Sequence, residues 1–257
     1  MSFAQQQCRL WVVIPVKDFV NAKQRLSGVL SPSERRALSQ AMVEDMLRCL
    51  QALPQLSGVL LVSDDPGAEL LAYRYGASLI TEARSQRGLN AAAAQGAAWL
   101  AQAGASHMLL LHGDLPCVRA EDIARVAAGL ANGAAPLVRL VPDRRGEGTN
   151  GLLCSLPAPI MFDYGAHSLR AHRHACHRGS IPVEVMPAPG LALDVDTPAD
   201  LYVLSSTPGV GAKTARFLDD SQVVARLRHM LRADDLGSLP DAVPSGVLSG
   251  AGNKHAH

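Results

Sequence analysis

Short apolar runs alternate with amphipathic stretches along most of this chain. Leu10-Trp11-Val12-Val13-Ile14, Val59-Leu60-Leu61-Val62, Ser78-Leu79-Ile80, residues 108–111, Leu137-Val138-Arg139-Leu140-Val141 and Pro182-Val183-Glu184-Val185 read as strands. The most apolar of them suit strands covered on both faces. Helical patterns with clear starts and stops fall between them. Ser31-Pro32-Ser33-Glu34 predicts a helix start, with Pro at the first helical position and Glu in the first turn; the helix runs to about Leu53 and stops before Pro54. Asp64-Asp65-Pro66 opens a second helix, which Gly76 ends. An Ala-rich helix over 90–102, one over 121–130, a basic one over 168–178 and a short one from Pro198 follow. The alternation predicts a three-layer α/β/α, Rossmann-like domain built on a parallel sheet. Residues 1–237 read as one domain, and 238–257, rich in Gly, Pro and Ser, as a mobile tail.

Composition narrows the function. The 257 residues are 48% hydrophobic and 4% aromatic, enough for a sizeable Ala/Leu/Val core. A net charge of +1 gives no electrostatic case for nucleic acid or a membrane surface. No apolar run reaches the ~18 residues of a membrane span, and the Gln-rich start is no secretory signal, so a cytoplasmic location is expected. The five cysteines are scattered without a C-x-x-C pair, which argues for buried thiols over disulfides or zinc.

The chemistry concentrates where apolar runs end in acid. His112-Gly113-Asp114-Leu115-Pro116 follows one strand, and Leu193-Asp194-Val195-Asp196-Thr197-Pro198 places two carboxylates two residues apart, on one face if that stretch is a strand. Ligands of open α/β sheets bind beyond the C-terminal strand ends. Asp114, Asp194 and Asp196 gathered there would form an oxygen-only site of the kind Mg²⁺ prefers beside substrate phosphates. Taken singly, each is equally a turn or cap residue. Lys17, Lys23 and Arg25 follow the first strand, where cations can neutralise a triphosphate; the Gly-x-x-x-x-Gly-Lys spacing of a Walker loop is missing. Gly148-Thr149-Asn150-Gly151 offers backbone N–H groups and a hydroxyl to an anion, or is simply a turn between strands. Tyr164-Gly165-Ala166-His167-Ser168 suits an anion at a helix start, or Ser168 is a plain N-cap.

Two stretches resemble other sites. His167, His172, His174, Cys176 and His177 would be spread round several helix faces among Arg170, Arg173 and Arg178, which favours a solvated basic helix over zinc. Thr207-Pro208-Gly209-Val210-Gly211-Ala212-Lys213 looks like a DNA-binding hairpin loop, but its flanks show neither paired helices nor a basic surround.

Taken in order, Ile14-Pro15-Val16-Lys17 with Ala22-Lys23-Gln24-Arg25-Leu26, Gly88-Leu89-Asn90-Ala91-Ala92, Gly113-Asp114-Leu115-Pro116, residues 143–150, Tyr164-Gly165 with Ser168, and Leu193-Asp194-Val195-Asp196-Thr197-Pro198 resemble the 2-phospho-L-lactate guanylyltransferase family (CofC/FbiD) over about residues 10–220. The resemblance implies the nucleotide-diphospho-sugar transferase (MobA-like) fold. It implies Mg²⁺-dependent transfer of GMP from GTP to 3-phospho-D-glycerate, phosphoenolpyruvate or 2-phospho-L-lactate, releasing pyrophosphate, in coenzyme F-420 biosynthesis. By motif, Asp114, Asp194 and Asp196 would hold Mg²⁺. Thr149, Gly165 and Ser168 would hold the acid's carboxylate. Lys17, Lys23 and Arg25 would face the triphosphate, with Asn90 on the nucleoside side. The implied partners are GTP and the acid, with room for a homodimer and for handover to the next enzyme of the pathway. The chain departs from the family at Tyr164-Gly165-Ala166-His167-Ser168, where Phe-Gly-Pro-Gly-Ser is usual, and at His112, where a smaller or apolar residue is commoner. A polar His suits an extra substrate hydroxyl, so His112 and His167 tilt the expected acid toward 3-phospho-D-glycerate. The competing readings are a cytidylyl, uridylyl or molybdopterin guanylyl transferase, a non-catalytic GTP-binding regulator, and a DNA-binding module.

Overall fold

The helix starts signalled in the sequence form. Ser31 caps α1 (Pro32–Gln51): its hydroxyl accepts from the Glu34 amide, and the Glu34 carboxylate accepts from the Ser31 amide. Asp65 caps α2 (Pro66–Tyr75) by accepting from Gly67 N, and Gly76 ends it in the left-handed region, φ 62°. Further along, α3 (Leu89–Gln102), α4 (Ala120–Val126) and α5 (Ser168–Arg178) alternate with strands as expected, although α4 stops short of Leu130. Thr197 caps α6 (Pro198–Ser206) in a second reciprocal box, with Asp200. The computed structural model describes residues 8–82, 87–131 and 135–230; the tail expected over 238–257 lies outside the described residues.

The strands are β1 (Leu10–Pro15), β2 (Leu56–Val62), β3 (Ser78–Ile80), β4 (His107–Leu111), β5 (Val138–Pro142), β6 (Thr149–Ser155) and β7 (Val183–Val185). They form one seven-stranded sheet in the order β3-β2-β1-β4-β6-β5-β7. The sheet is mixed, which corrects the all-parallel expectation. β6 runs antiparallel to both neighbours, while the β1–β2, β1–β4, β2–β3 and β5–β7 pairs are parallel. Leu152, Leu153 and Cys154 are fully buried, and a strand covered on both faces reads the same in either direction. The reversal matters for the site. It brings the start of β6 to the edge where β4 ends, with Leu111 opposite Gly151.

Side chains of β1 alternate between two cores. Val12 and Ile14 pack with Met46 and Leu47 of α1, Leu71 of α2 and Ile123 of α4. Val13 packs with Ala93, Ala97 and Leu100 of α3 and with Cys176 of α5. Gly96 lets α3 come this close, because a Cβ there would lie 2.8 Å from Val13 Cγ1. Helices thus cover both faces, and the three-layer expectation holds.

Two further helices, α7 (Ala212–Ser221) and α8 (Val223–Met230), were not expected from sequence. Leu218, Val223 and Leu227 from them pack with Leu38 and Met42 of α1 and Leu201 and Leu204 of α6 in a third core. Asp194 and Asp196 lie on an irregular segment outside the sheet, not on a strand. That segment is tied to the loop after β4 by Val195 N donating to Asp114 O over 3.2 Å.

Candidate active site

The strand order reverses direction at β1. Its neighbours are β2, reached through α1, and β4, reached later in the chain. A crevice opens beyond the C-terminal ends of strands at such a point. A cavity of about 770 Å³ occupies it here. Lys17, Asn21 and Lys23 reach it from the loop after β1, and His112 and Asp114 from the loop after β4; Asp196 closes the side. Its size suits a ligand of nucleotide dimensions.

Lys23 sits at the centre of the acidic group. Its Nζ donates to Asp114 Oδ2 over 2.5 Å and to Asp196 Oδ1 over 2.7 Å. Burial opposes the lysine's charge, but the two carboxylates outweigh it and raise its pKa. Burial likewise opposes ionisation of Asp114, and Lys23 reverses that, holding the carboxyl below its ordinary range. Among the described residues, no such cation pairs with Asp194. Its Oδ1 accepts from Asn150 Nδ2 over 3.3 Å, while burial and then the charge of Asp114 push its pKa up to about 6. Asp114 Oδ1 is buried without a hydrogen-bond partner among the described residues. Among the described residues, no three His, Cys, Asp or Glu side chains form a ready metal site. Instead, an ammonium bridges two of the expected carboxylates and an amide holds the third. Asp200 positions the segment: it accepts from Asp196 N and pairs with Arg144 over 2.5 Å.

A second cluster adjoins the cavity through His112. Thr149 and His172 are buried, and Thr149 Oγ1 lies 3.1 Å from His172 Nδ1. His172 Nε2 accepts from Asp163 N over 3.0 Å. Ser168 is one helical turn before His172 on the same face of α5, and Ser168 N donates to Gly165 O over 3.2 Å. Thr149, Gly165 and Ser168 therefore share one neighbourhood. The Tyr164 ring lies between His112 (centroids 5.3 Å apart) and His172 (4.8 Å). His112 Nε2 and Tyr164 Oη are buried without hydrogen-bond partners among the described residues. Burial lowers the pKa of His112, and burial brings that of His172 down to about 4.

Several expectations need correction. Arg25 is exposed on a short 3₁₀ turn, Gln24–Leu26, and is not part of the cavity wall; Lys17 and Lys23 are. Lys23 faces the carboxylates. Asn90 is spent on the backbone of Tyr164, donating to its carbonyl over 3.2 Å and accepting from its amide over 2.6 Å. The N-cap of α5 is His167 with φ 61°, so Ser168 is the first helical residue. The basic helix is not wholly solvated, because His172 and Cys176 are fully buried. The hairpin over 207–211 does have helices on both sides, α6 and α7. Its amides serve the fold: Gly211 N donates to Pro116 O over 2.8 Å, and Lys213 N and Thr214 N donate to the Asp45 carboxylate over 2.9 and 2.8 Å. Asn150 reads in the sequence only as part of a possible anion-binding loop; its side chain instead holds Asp194 and the carbonyls of Leu191 and Ala192.

Among the described residues, no helix is long and apolar enough to cross a membrane. Residues 10–232 match the family model described as guanylyl transferase CofC like. The chain is 38% identical over 194 residues to the phosphoenolpyruvate guanylyltransferase of Conexibacter woesei, covering 76% of this chain and 86% of that protein. It is 36% identical over 211 residues to the 3-phospho-D-glycerate guanylyltransferase of Phenylobacterium zucineum, covering 81% and 94%. In structure it resembles a protein from Desulfovibrio desulfuricans G20 named as a nucleotide-diphospho-sugar transferase, with a TM-score of 0.69, 16% identity and coverage of 86% and 98%. At that identity the likeness speaks for the fold, which is the α/β architecture expected. A crevice at the sheet's switch point, carboxylates converging on one lysine, and matches spanning most of the chain agree: the chain belongs to the CofC-like guanylyl transferase family.

Proposed function

We propose that this protein transfers GMP from GTP to a phosphorylated three-carbon acid and releases pyrophosphate. The observation that carries the reading is the Asp114–Lys23–Asp196 cluster on the wall of a nucleotide-sized cavity. A phosphate oxygen of the acid attacks the α-phosphorus of GTP, and the bond to the bridging oxygen of the departing pyrophosphate breaks. The attacking oxygen is already anionic at neutral pH, so no strong base is required. What is required is in-line placement and cancellation of repulsion between anions. Lys17 supplies positive charge where the triphosphate would lie, and Lys23 holds the Asp114 and Asp196 carboxylates beside it. Thr149, Gly165 and Ser168 hold the acid's carboxylate.

The donor set fits Mg²⁺. Asp114 and Asp196, with Asp194 beside them, are hard oxygen ligands; one buried oxygen of Asp114 lacks a partner, and Asp194 carries like-charge repulsion that a cation would relieve. When bound, Mg²⁺ supplies charge neutralisation at the phosphate oxygens. The unpartnered His112 Nε2 favours an acid with an additional hydroxyl, as in 3-phospho-D-glycerate, over phosphoenolpyruvate or 2-phospho-L-lactate. The test is pyrophosphate release with Mg²⁺ and a mixture of the three phosphorylated acids across a panel of nucleoside triphosphates. GTP should support it, and Asp114→Asn and Asp196→Asn should abolish most of it while leaving the fold intact. Preference for CTP or UTP, GTP binding without turnover, or near-normal turnover in both variants would overturn the reading.

A further inference from the structure

The proton on the His172 ring can be placed from geometry. A backbone amide can only donate, so the bond from Asp163 N requires a lone pair on His172 Nε2. A neutral ring without a proton on Nε2 carries it on Nδ1. Nδ1–H then donates to Thr149 Oγ1, 3.1 Å away. Thr149 accepts in that bond, and its own hydroxyl hydrogen is left to point elsewhere. No protein acceptor for it is seen among the described residues. A buried hydroxyl whose lone pair is engaged and whose hydrogen is free is a committed donor, the polarity a carboxylate needs.

We propose that His172 is a positioning residue, which holds Thr149 as an acceptor so that the Thr149 hydroxyl donates to the carboxylate of the acid substrate. The proposal rests on the reading of Thr149 as a carboxylate contact. It explains why a full-length imidazole is buried in a helix otherwise lined with Arg and His: Asp163 sets the tautomer, the tautomer sets the hydroxyl, and the hydroxyl reads the anion. Ser168, a turn earlier on the same helix, would approach the anion from the same side.

Two measurements on the full chain test it. Long-range ¹H–¹⁵N spectra of histidine-labelled protein at neutral pH, with the signal assigned by its loss in His172→Asn, should show Nδ1 protonated and Nε2 bare. A protonated Nε2, in either the other tautomer or the imidazolium, would overturn the proposal without any activity assay. In steady-state kinetics, His172→Leu should raise KM for the acid about tenfold or more and leave KM for GTP within about twofold. His172→Asn should recover much of the loss, because its side-chain amide donates from the place of Nδ1; His172→Gln should not. Thr149→Val should match His172→Leu. If Thr149→Val raises KM for the acid but neither His172→Asn nor His172→Gln differs from wild type, His172 does not position the hydroxyl. If Thr149→Val has no effect on the acid, the carboxylate contact itself is wrong and the proposal falls with it, while the spectrum still reports the tautomer.

Discussion

Lys23 reaches Asp114 Oδ2 over 2.5 Å from a backbone in the left-handed region, φ 54°. For a residue with a side chain, that conformation costs energy and persists where surrounding contacts over-determine it. The ammonium is the only cation on either carboxylate among the described residues. Lys23→Met would leave two neighbouring carboxylates uncompensated. The expected result is a loss in kcat/KM equivalent to ~2–4 kcal/mol of transition-state stabilisation, with circular dichroism unchanged. Turnover close to wild type would remove Lys23 from the machinery.

The two other cations of the same loop should separate. Lys17 lines the cavity, while Arg25 projects from the 3₁₀ turn into solvent. Lys17→Ala should raise KM for GTP several-fold, and Arg25→Ala should leave it within about twofold, as expected for a surface charge. The reverse pattern would mean that the loop meets the triphosphate through its other face.

The burial of His172 predicts how stability responds to acid. Its pKa falls from an ordinary 6.5 to about 4 in the fold, so the unfolded chain takes up a proton at higher pH than the native one does. Stability from this group is therefore fully present above about pH 6.5 and is lost as pH falls toward 4, by roughly 3 kcal/mol at most. Urea unfolding between pH 7.5 and 4.5 should show this slope, and His172→Asn should flatten it. An equal slope in the variant would assign the effect to other groups.

Asp45 ties α1 to α7 through the amides of Lys213 and Thr214. Its carboxylate is buried beside Gly211, where any Cβ would collide with it. Asp45→Ala should cost about 1–2 kcal/mol in unfolding free energy by removing a helix cap. An unchanged midpoint would show that α7 is held by Leu218 and Val223 packing alone. Electrophoretic shift with duplex DNA should remain absent in both proteins.

What was legible in the sequence was local. Ser31 with Glu34, Asp65 before Pro66, Gly76 and Thr197 before Pro198 announce helix ends because cap and capped amide are two or three residues apart. Asp114 and Asp196, which close two apolar runs in the sequence, both line the cavity. What was not legible depends on distance or direction. Lys23 meets Asp114 across 91 positions and Asp196 across 173, and no spacing rule connects them. The reversed β6 carries the same apolar letters a parallel strand would. His172 sits in a run of Arg and His that reads as solvent-facing, and only the strand laid beside it makes it a core residue. Asn90 shows the limit of transfer by motif, since its amide is engaged with the Tyr164 backbone.

The most direct measurement is incubation of the full chain with GTP, Mg²⁺ and, separately, 3-phospho-D-glycerate, phosphoenolpyruvate and 2-phospho-L-lactate, with mass detection of products. A guanosine diphosphate diester of at least one acid should form in step with pyrophosphate and be lost in Asp114→Asn, with 3-phospho-D-glycerate preferred and the preference weakened in His112→Ala. Preference for another acid would contradict the role given to His112. Absence of a diester with all three acids, from protein that binds GTP, would contradict guanylyl transfer as the function of this cavity.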